Sequence, residues 1–413
     1  MLIRFKVRNF RSLRNEQQLS FEATSLRGNA EAISAAEPTQ HRLLRAAAIY
    51  GANASGKTNV LRALIFMRDA VRNSQKDWDP EAEIDLQMFA GTDALGASAR
   101  FEVDFLLDGV LYQYGFELTS TKIVEEWLHA YPSKKKQMWF VRGESFQFGR
   151  NLPGENQTIA NLTRRNSLFL SAAAQNNHEA LLPVYRWFSS IQFVRSWRRE
   201  LQGATSRLCE DEAFKKKVLR MLSAADLGVV DIDAHEEEFQ EPVKGFSQKM
   251  KTIFPEFKLP EKTTVISLRH RSSDGSDDFL LPLQQESDGT VAYFSLLGPL
   301  IQTLSDGGIL CVDELDASLH PVLALQIVLQ FNTSERNPKG AQLLFNTHDT
   351  NLLSKDLLRR DQVWFTEKDQ GGATHLYSLT DFKPRRNENL QLGYLEGRYG
   401  ALPFIGNADV LPE

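Results

Sequence analysis

Residues 43–50, Leu-Leu-Arg-Ala-Ala-Ala-Ile-Tyr, run directly into Gly51-Ala52-Asn53-Ala54-Ser55-Gly56-Lys57-Thr58. After Asn59, apolar residues recur at Val60, Leu61, Leu64, Ile65 and Met67. A short apolar run ending at glycine reads as a buried strand entering a tight turn. The 3–4 residue spacing that follows reads as an amphipathic helix over about 58–70. The eight residues between fit G-x-x-x-x-G-K-[ST], the phosphate-binding loop. The chemistry dictates each position. Backbone N–H groups of residues 53–58 must converge on phosphate oxygens, and side chains at Gly51 and Gly56 would block that turn. The helix begins near Lys57, so its positive end faces the anion. Lys57 adds a charge for the β- and γ-phosphates, and the Thr58 hydroxyl is a ligand for Mg²⁺.

A second segment supplies acids. Gly308-Ile309-Leu310-Cys311-Val312-Asp313-Glu314 is an apolar strand ending in two carboxylates. In a doubly wound α/β sheet such acids emerge at the carboxyl end, where ligands bind. Asp313 is expected to hold Mg²⁺, and Glu314 to orient and deprotonate an attacking water. This strand is expected beside the strand that feeds the loop.

Several further stretches resemble the ABC/SMC-type ATPases, and more closely the compact single-head ATPases of bacterial abortive-infection and anti-phage systems. These are similar to OLD-type heads without a Toprim domain. The resemblance covers about residues 1–150 and 280–410. Arg8-Asn9-Phe10-Arg11-Ser12-Leu13 resembles the first strand of such heads, and Asn53 and Asn59 flank the lysine as they often do there. Glu286-Ser287-Asp288-Gly289-Thr290 resembles a variant of the ABC signature, with Asp288 in place of a glycine. Asp316–Pro321 resembles the D-loop stretch, Phe345-Asn346-Thr347-His348-Asp349 the switch-histidine strand, and Gly397–Pro403 the closing segment. From Ser287 to Asp313 is 26 positions and from Glu314 to His348 is 34, room in each case for one helix and one strand.

The resemblance implies a P-loop α/β head of mixed, mainly parallel sheet, with an antiparallel β lobe and a helical insertion lobe. It implies ATP and Mg²⁺ as ligands, with Lys57, Glu314 and His348 catalytic. Gly51, Asn53, Ala54, Ser55, Gly56, Thr58, Asn59, Arg11 and Ser12 would contact nucleotide. Thr58, Asp313 and Gln87, the last as a Q-loop glutamine, would serve the metal. Ser287, Gly289 and Thr290 would bind the γ-phosphate of a second copy, because Ser287 caps a helix whose first N–H groups are free. The implied partners are a second head, face to face, and a separate nuclease or toxin effector. A DNA-repair ATPase that clamps nucleic acid between two heads is the alternative.

The expected division is residues 1–155 for the first half of the head, 156–275 for the helical insertion and 276–413 for the second half. Within the first half, 98–120 reads as a hairpin, with alternating strands around Asp108-Gly109. The chain has 413 residues, net charge −5, 42% apolar and 24% charged residues, an ordinary globular mixture. Two cysteines, Cys209 and Cys311, exclude a disulfide framework and a four-cysteine zinc site. Neither a signal peptide nor a membrane span is expected, which points to the cytoplasm. No heptad pattern predicts coiled-coil arms. The 65 residues after His348 hold no acidic cluster for a nuclease. Trp187 and Trp197, near Arg195, Arg198 and Arg199, form the one aromatic-basic group that suits base stacking, with core packing as its other role.

Overall fold

The computed structural model describes residues 1–36, 41–90, 97–195, 199–238, 262–272, 278–385 and 388–402. Pro403, Trp197 and Arg198, named above, lie outside them. The chain opens with β1 (Leu2–Arg8), β2 (Gln17–Ser20), β3 (Ile33–Ala36), β4 (His41–Leu44), β5 (Ala46–Gly51) and α1 (Lys57–Asn73). Then come β6 (Ala99–Leu107), β7 (Val110–Leu118), β8 (Ile123–Tyr131), β9 (Gln137–Arg142) and β10 (Phe146–Phe148). Helices α2 (Asn156–Leu162), α3 (Phe169–Gln175) and α4 (Leu182–Ser189) lead to β11 (Ile191–Arg195), α5 (Arg199–Leu208) and α6 (Glu212–Ala224). The rest is β12 (Val229–Glu238), β13 (Lys262–His270), β14 (Phe279–Pro282), α7 (Asp288–Asp306), β15 (Ile309–Asp313), α8 (Pro321–Asn332), β16 (Gln342–Asn346), β17 (Val363–Lys368), β18 (Thr374–Ser378) and α9 (Leu390–Leu395).

The chain forms two compact units. The first is Met1–Phe193 with Thr303–Asp316 and Ala324–Glu413; the second is Val194–Gln302 with Ala317–Leu323. This differs from the division expected at 156–275. Helices α2 to α4 belong to the first unit, because Ile159, Leu170, Val184 and Phe188 are buried in its core. Trp187 stacks on Phe105 with ring centres 4.0 Å apart and is 6% exposed, so its role is packing. The 156–275 stretch is also not helical throughout, since β12 and β13 pair antiparallel from Val229–His270 to Glu238–Lys262.

Two large sheets and the small β3–β4 pair build the first unit. The antiparallel sheet has the order β10-β9-β8-β7-β6-β1-β2, and the other β11-β15-β16-β5-β17-β18. In the second, β15, β16, β5 and β17 run parallel and β18 turns back antiparallel against β17. Both faces of its centre are covered, which is why β5, β15 and β16 are buried at every residue. The β6–β7 hairpin turns at Asp108 (φ 49°) and Gly109 (φ 74°), as the Asp-Gly dipeptide predicts. Buried Gln342 joins the sheets: its amide donates to the carbonyls of Leu2 (2.9 Å) and Leu44 (3.1 Å), and its oxygen accepts from the Leu2 N–H.

Within the second unit α7 carries Pro299, which lacks the N–H that would bond the Ser295 carbonyl. Buried Thr205 of α5 donates to that carbonyl at 2.9 Å instead.

Candidate nucleotide site

At the carboxyl end of the parallel strands, β5 ends at Gly51 and the chain loops into α1. The loop needs its glycines. Gly56 has φ 108°, and a Cβ there would stand 2.1 Å from Thr374 Oγ1; a Cβ on Gly51 would stand 2.5 Å from the Thr366 carbonyl oxygen. Ala54 also takes a left-handed φ of 60°. Behind the loop, Ser55 shares a 2.6 Å hydrogen bond with Thr366, and Thr374 Oγ1 lies 2.8 Å from the Ser55 carbonyl. The Lys57 ammonium, 6% exposed, donates to the carbonyls of Gly51 (2.9 Å) and Ala52 (3.0 Å). Burial pulls its pKa down, opposed by the charges of Glu314, Asp316 and Asp313.

The acids meet the loop through one hydrogen-bond chain. The Thr58 hydroxyl donates to Asp313 Oδ1 at 2.7 Å. Asn346 Nδ2 donates to the same oxygen at 2.6 Å, and Asn346 Oδ1 accepts from the Glu314 N–H. Glu314, exposed and at φ 61°, is thus turned out of the strand while Asp313 stays buried. The strand next to β5 is β16, not β15 as the sequence suggested; β15 lies one place further out. The intervening Asn346 is therefore what reaches both acids.

Asp316 organises the next turn. It accepts from Thr347 Oγ1 at 2.7 Å and from the His348 N–H at 3.2 Å. The His348 imidazole keeps an exposed edge, yet burial and then the Lys57 charge lower its pKa below the ordinary 6.5, against Asp316 and Glu314.

The Arg11–Ser12 turn lies against this site. Ser12 Oγ accepts from Asn59 Nδ2 at 2.7 Å and sits 2.7 Å from Thr374 Oγ1. Arg11, at φ 52°, donates its N–H to the Gln87 carbonyl at 2.7 Å, and its guanidinium lies 5.7 Å from the Phe10 ring centre. Gln87 thus meets the site's edge through its backbone, and its side chain is exposed.

The second unit holds the other motif. Ser287 Oγ accepts the Thr290 N–H at 3.2 Å and lies 2.9 Å from Thr290 Oγ1, which caps α7. Ser287 and Asp288 are exposed. A Cβ on Gly289 would come 3.2 Å from the Ser318 carbonyl oxygen, so the signature and D-loop stretches touch there.

The sequence reading passed over Asn346, Thr366, Thr374 and the carboxylate of Asp316. Asn346 had a signal, two residues before His348 in an apolar strand. Thr366 and Thr374 had none, since only folding brings them 311 and 319 residues back to Ser55.

The residues fit a nucleotide with a hard divalent cation. Thr58 and Asp313 offer adjacent oxygen donors, and no group of three or more His, Cys, Asp or Glu side chains able to hold a metal occurs among the described residues. Mg²⁺ is bound in that way, by one or two protein oxygens together with substrate phosphates. A loop of this geometry on a parallel sheet, with a Thr–Asp pair at its mouth, is that of a P-loop nucleotide-binding protein.

The chain belongs to the family described as "AAA domain, putative AbiEii toxin, Type IV TA system", matched over residues 46–354. Similar solved structures include the SMC head domain from Thermotoga maritima, 15% identical, with a TM-score of 0.42, covering 91% of this chain and 98% of that one. Another is an SMC head bound to the C-terminal winged-helix domain of ScpA, 13% identical, with a TM-score of 0.39, covering 91% and 97%. No curated protein matches. Among the described residues no helix is long and apolar enough to cross a membrane.

Proposed function

We propose that this chain hydrolyses ATP with Mg²⁺, in a site completed when two copies meet, and that the cycle switches a separate effector in bacterial anti-phage defence. The observation that carries the hydrolytic reading is the bond chain Thr58–Asp313–Asn346–Glu314, which sets a metal ligand and a free carboxylate side by side at the loop's mouth. Loop amides and the α1 N-terminus bind the phosphates, and Lys57 exchanges its two carbonyl partners for phosphate oxygens. Thr58 and Asp313 would hold Mg²⁺, which would supply positive charge against the phosphates. Glu314 orients a water and takes its proton as the water oxygen bonds to the γ-phosphorus. The bond to the bridging oxygen breaks and ADP leaves with that electron pair. Neutral His348 donates a hydrogen bond to the γ-phosphate.

The capped start of α7, Ser287 to Thr290, is an anion-binding end, and the resemblance to ABC heads assigns it to the γ-phosphate of the second copy. The defence role draws on the family's description, which names a toxin of a type IV toxin–antitoxin system. ATP turnover by the purified chain, with and without Mg²⁺, tests the first step. A wild-type rate no higher than that of Lys57→Ala would reject it. Adding DNA at low salt in the same assay tests the DNA-clamp alternative, which requires nucleotide-dependent binding that falls steeply with salt.

A further inference from the structure

Helix α9 packs on Tyr50, the residue that leads into the nucleotide loop, from a direction the catalytic scheme does not use. Tyr394, 6% exposed, packs edge-to-face on Tyr50 with ring centres 5.8 Å apart and stacks on Phe365 at 5.5 Å. Tyr50 is the residue immediately before Gly51. The Tyr394 hydroxyl donates to the Ala401 carbonyl at 3.3 Å. Tyr50 reaches the other way, its hydroxyl donating to the Asp349 carbonyl at 3.1 Å, next to His348. One turn earlier on α9, Gln391 Nε2 donates to Thr350 Oγ1 at 3.2 Å. A single short helix therefore bears on both the entry to the phosphate loop and the turn after the histidine.

The rest of the tail is shaped to hold that helix. Gly393 leaves room for the Tyr399 ring, since a Cβ there would stand 2.6 Å from its hydroxyl. Tyr399 stacks on Phe365 at 5.8 Å, and its hydroxyl donates to Glu388 at 2.8 Å. Gly397, Gly400 and Ala401 all take left-handed φ (77°, 66° and 58°), so the chain is folded back tightly beneath Tyr394.

We infer that the tail, residues 388–402, is a brace of the nucleotide site, with Tyr394 as the positioning residue for the Tyr50–Gly51 turn. The inference rests on the reading of Gly51–Thr58 as a nucleotide site. The Gly51 carbonyl also holds the Lys57 ammonium, so a displaced Tyr50–Gly51 turn moves the lysine's partner and the first loop amides together. A loop held in its binding shape before the ligand arrives binds more tightly, because less ordering remains to be done.

The test is calorimetric titration of the full chain with ADP and with an unhydrolysable ATP analogue, together with steady-state turnover. Tyr394→Ala should raise Kd roughly tenfold and KM in step, while kcat at saturating ATP stays within about twofold. Tyr394→Phe, which keeps the ring, should recover Kd to within about threefold. Leu392→Ala, on the exposed side of the same helix, should match wild type. If Tyr394→Ala fails to fold, Tyr394→Leu takes its place with the same expected rise. A Kd for the ring-less variant within twofold of wild type overturns the brace, as does a loss of kcat with Kd unchanged. If Lys57→Ala abolishes binding in that same series, the nucleotide reading stands without the brace. Wild-type protein that binds neither nucleotide overturns both.

Discussion

The phosphate loop and the start of α7 are both helix N-termini suited to anions, and they are built differently. At the loop, four polar side chains are tied down. Lys57 lies on two carbonyls, Thr58 on Asp313, Ser55 on Thr366, Asn59 on Ser12. At α7 the capping pair Ser287–Thr290 and the Glu286–His270 contact (2.6 Å) just before it are the side-chain ties, and Ser287 and Asp288 stand in solvent. In the proposed scheme the first region binds nucleotide within one chain. The second would contribute to a site shared with a second copy, and its exposed acid would repel a phosphate unless a partner surface takes it up. Affinity should therefore reside in the first region and concentration-dependent turnover in the second.

Four measurements bear on that contrast. The largest effect is expected from Lys57→Ala, which should weaken ATP binding at least about a hundredfold by removing a buried, charge-assisted donor. Binding within tenfold of wild type would break the contrast at its strong end. Next is Glu314→Gln, which should lower kcat by roughly a hundredfold while leaving nucleotide affinity nearly intact. A nucleotide-trapped dimer, seen by light scattering, would sharpen the case for a shared site. Ser287→Ala should reduce turnover about tenfold and abolish its rise with protein concentration, with ADP affinity unchanged. An ADP affinity that falls as far as turnover would show that this region serves its own chain.

The smallest effect concerns pH. Because burial and Lys57 hold His348 below its ordinary 6.5, the active neutral imidazole is lost only as pH falls below that value. The acid limb of kcat/KM should therefore have its midpoint under pH 6.5 and disappear in His348→Gln. A midpoint above 6.5 would contradict the placement of the histidine beside the lysine.

Much of this was legible in the residues themselves. Local chemistry decided the loop: Gly51, Gly56, Lys57 and Thr58 must follow one another because their atoms converge on one phosphate group, and short-range spacing records that. The Asp108-Gly109 hairpin and the Asp313–Glu314 strand end were readable for the same reason, since turn type and strand polarity are local properties. Long-range neighbours were not. That β16 lies between β15 and β5, that Asn346 serves both acids, and that Thr366 and Thr374 wall the glycine turn depend on strand order, which no nearby pattern encodes. That α2, α3 and α4 pack into the core of the first unit was not legible, because helical periodicity shows which face of a helix is apolar but not which core receives it. Sequence determined what chemistry the site can hold, and tertiary structure decided which distant side chains, Tyr394 among them, hold it in shape.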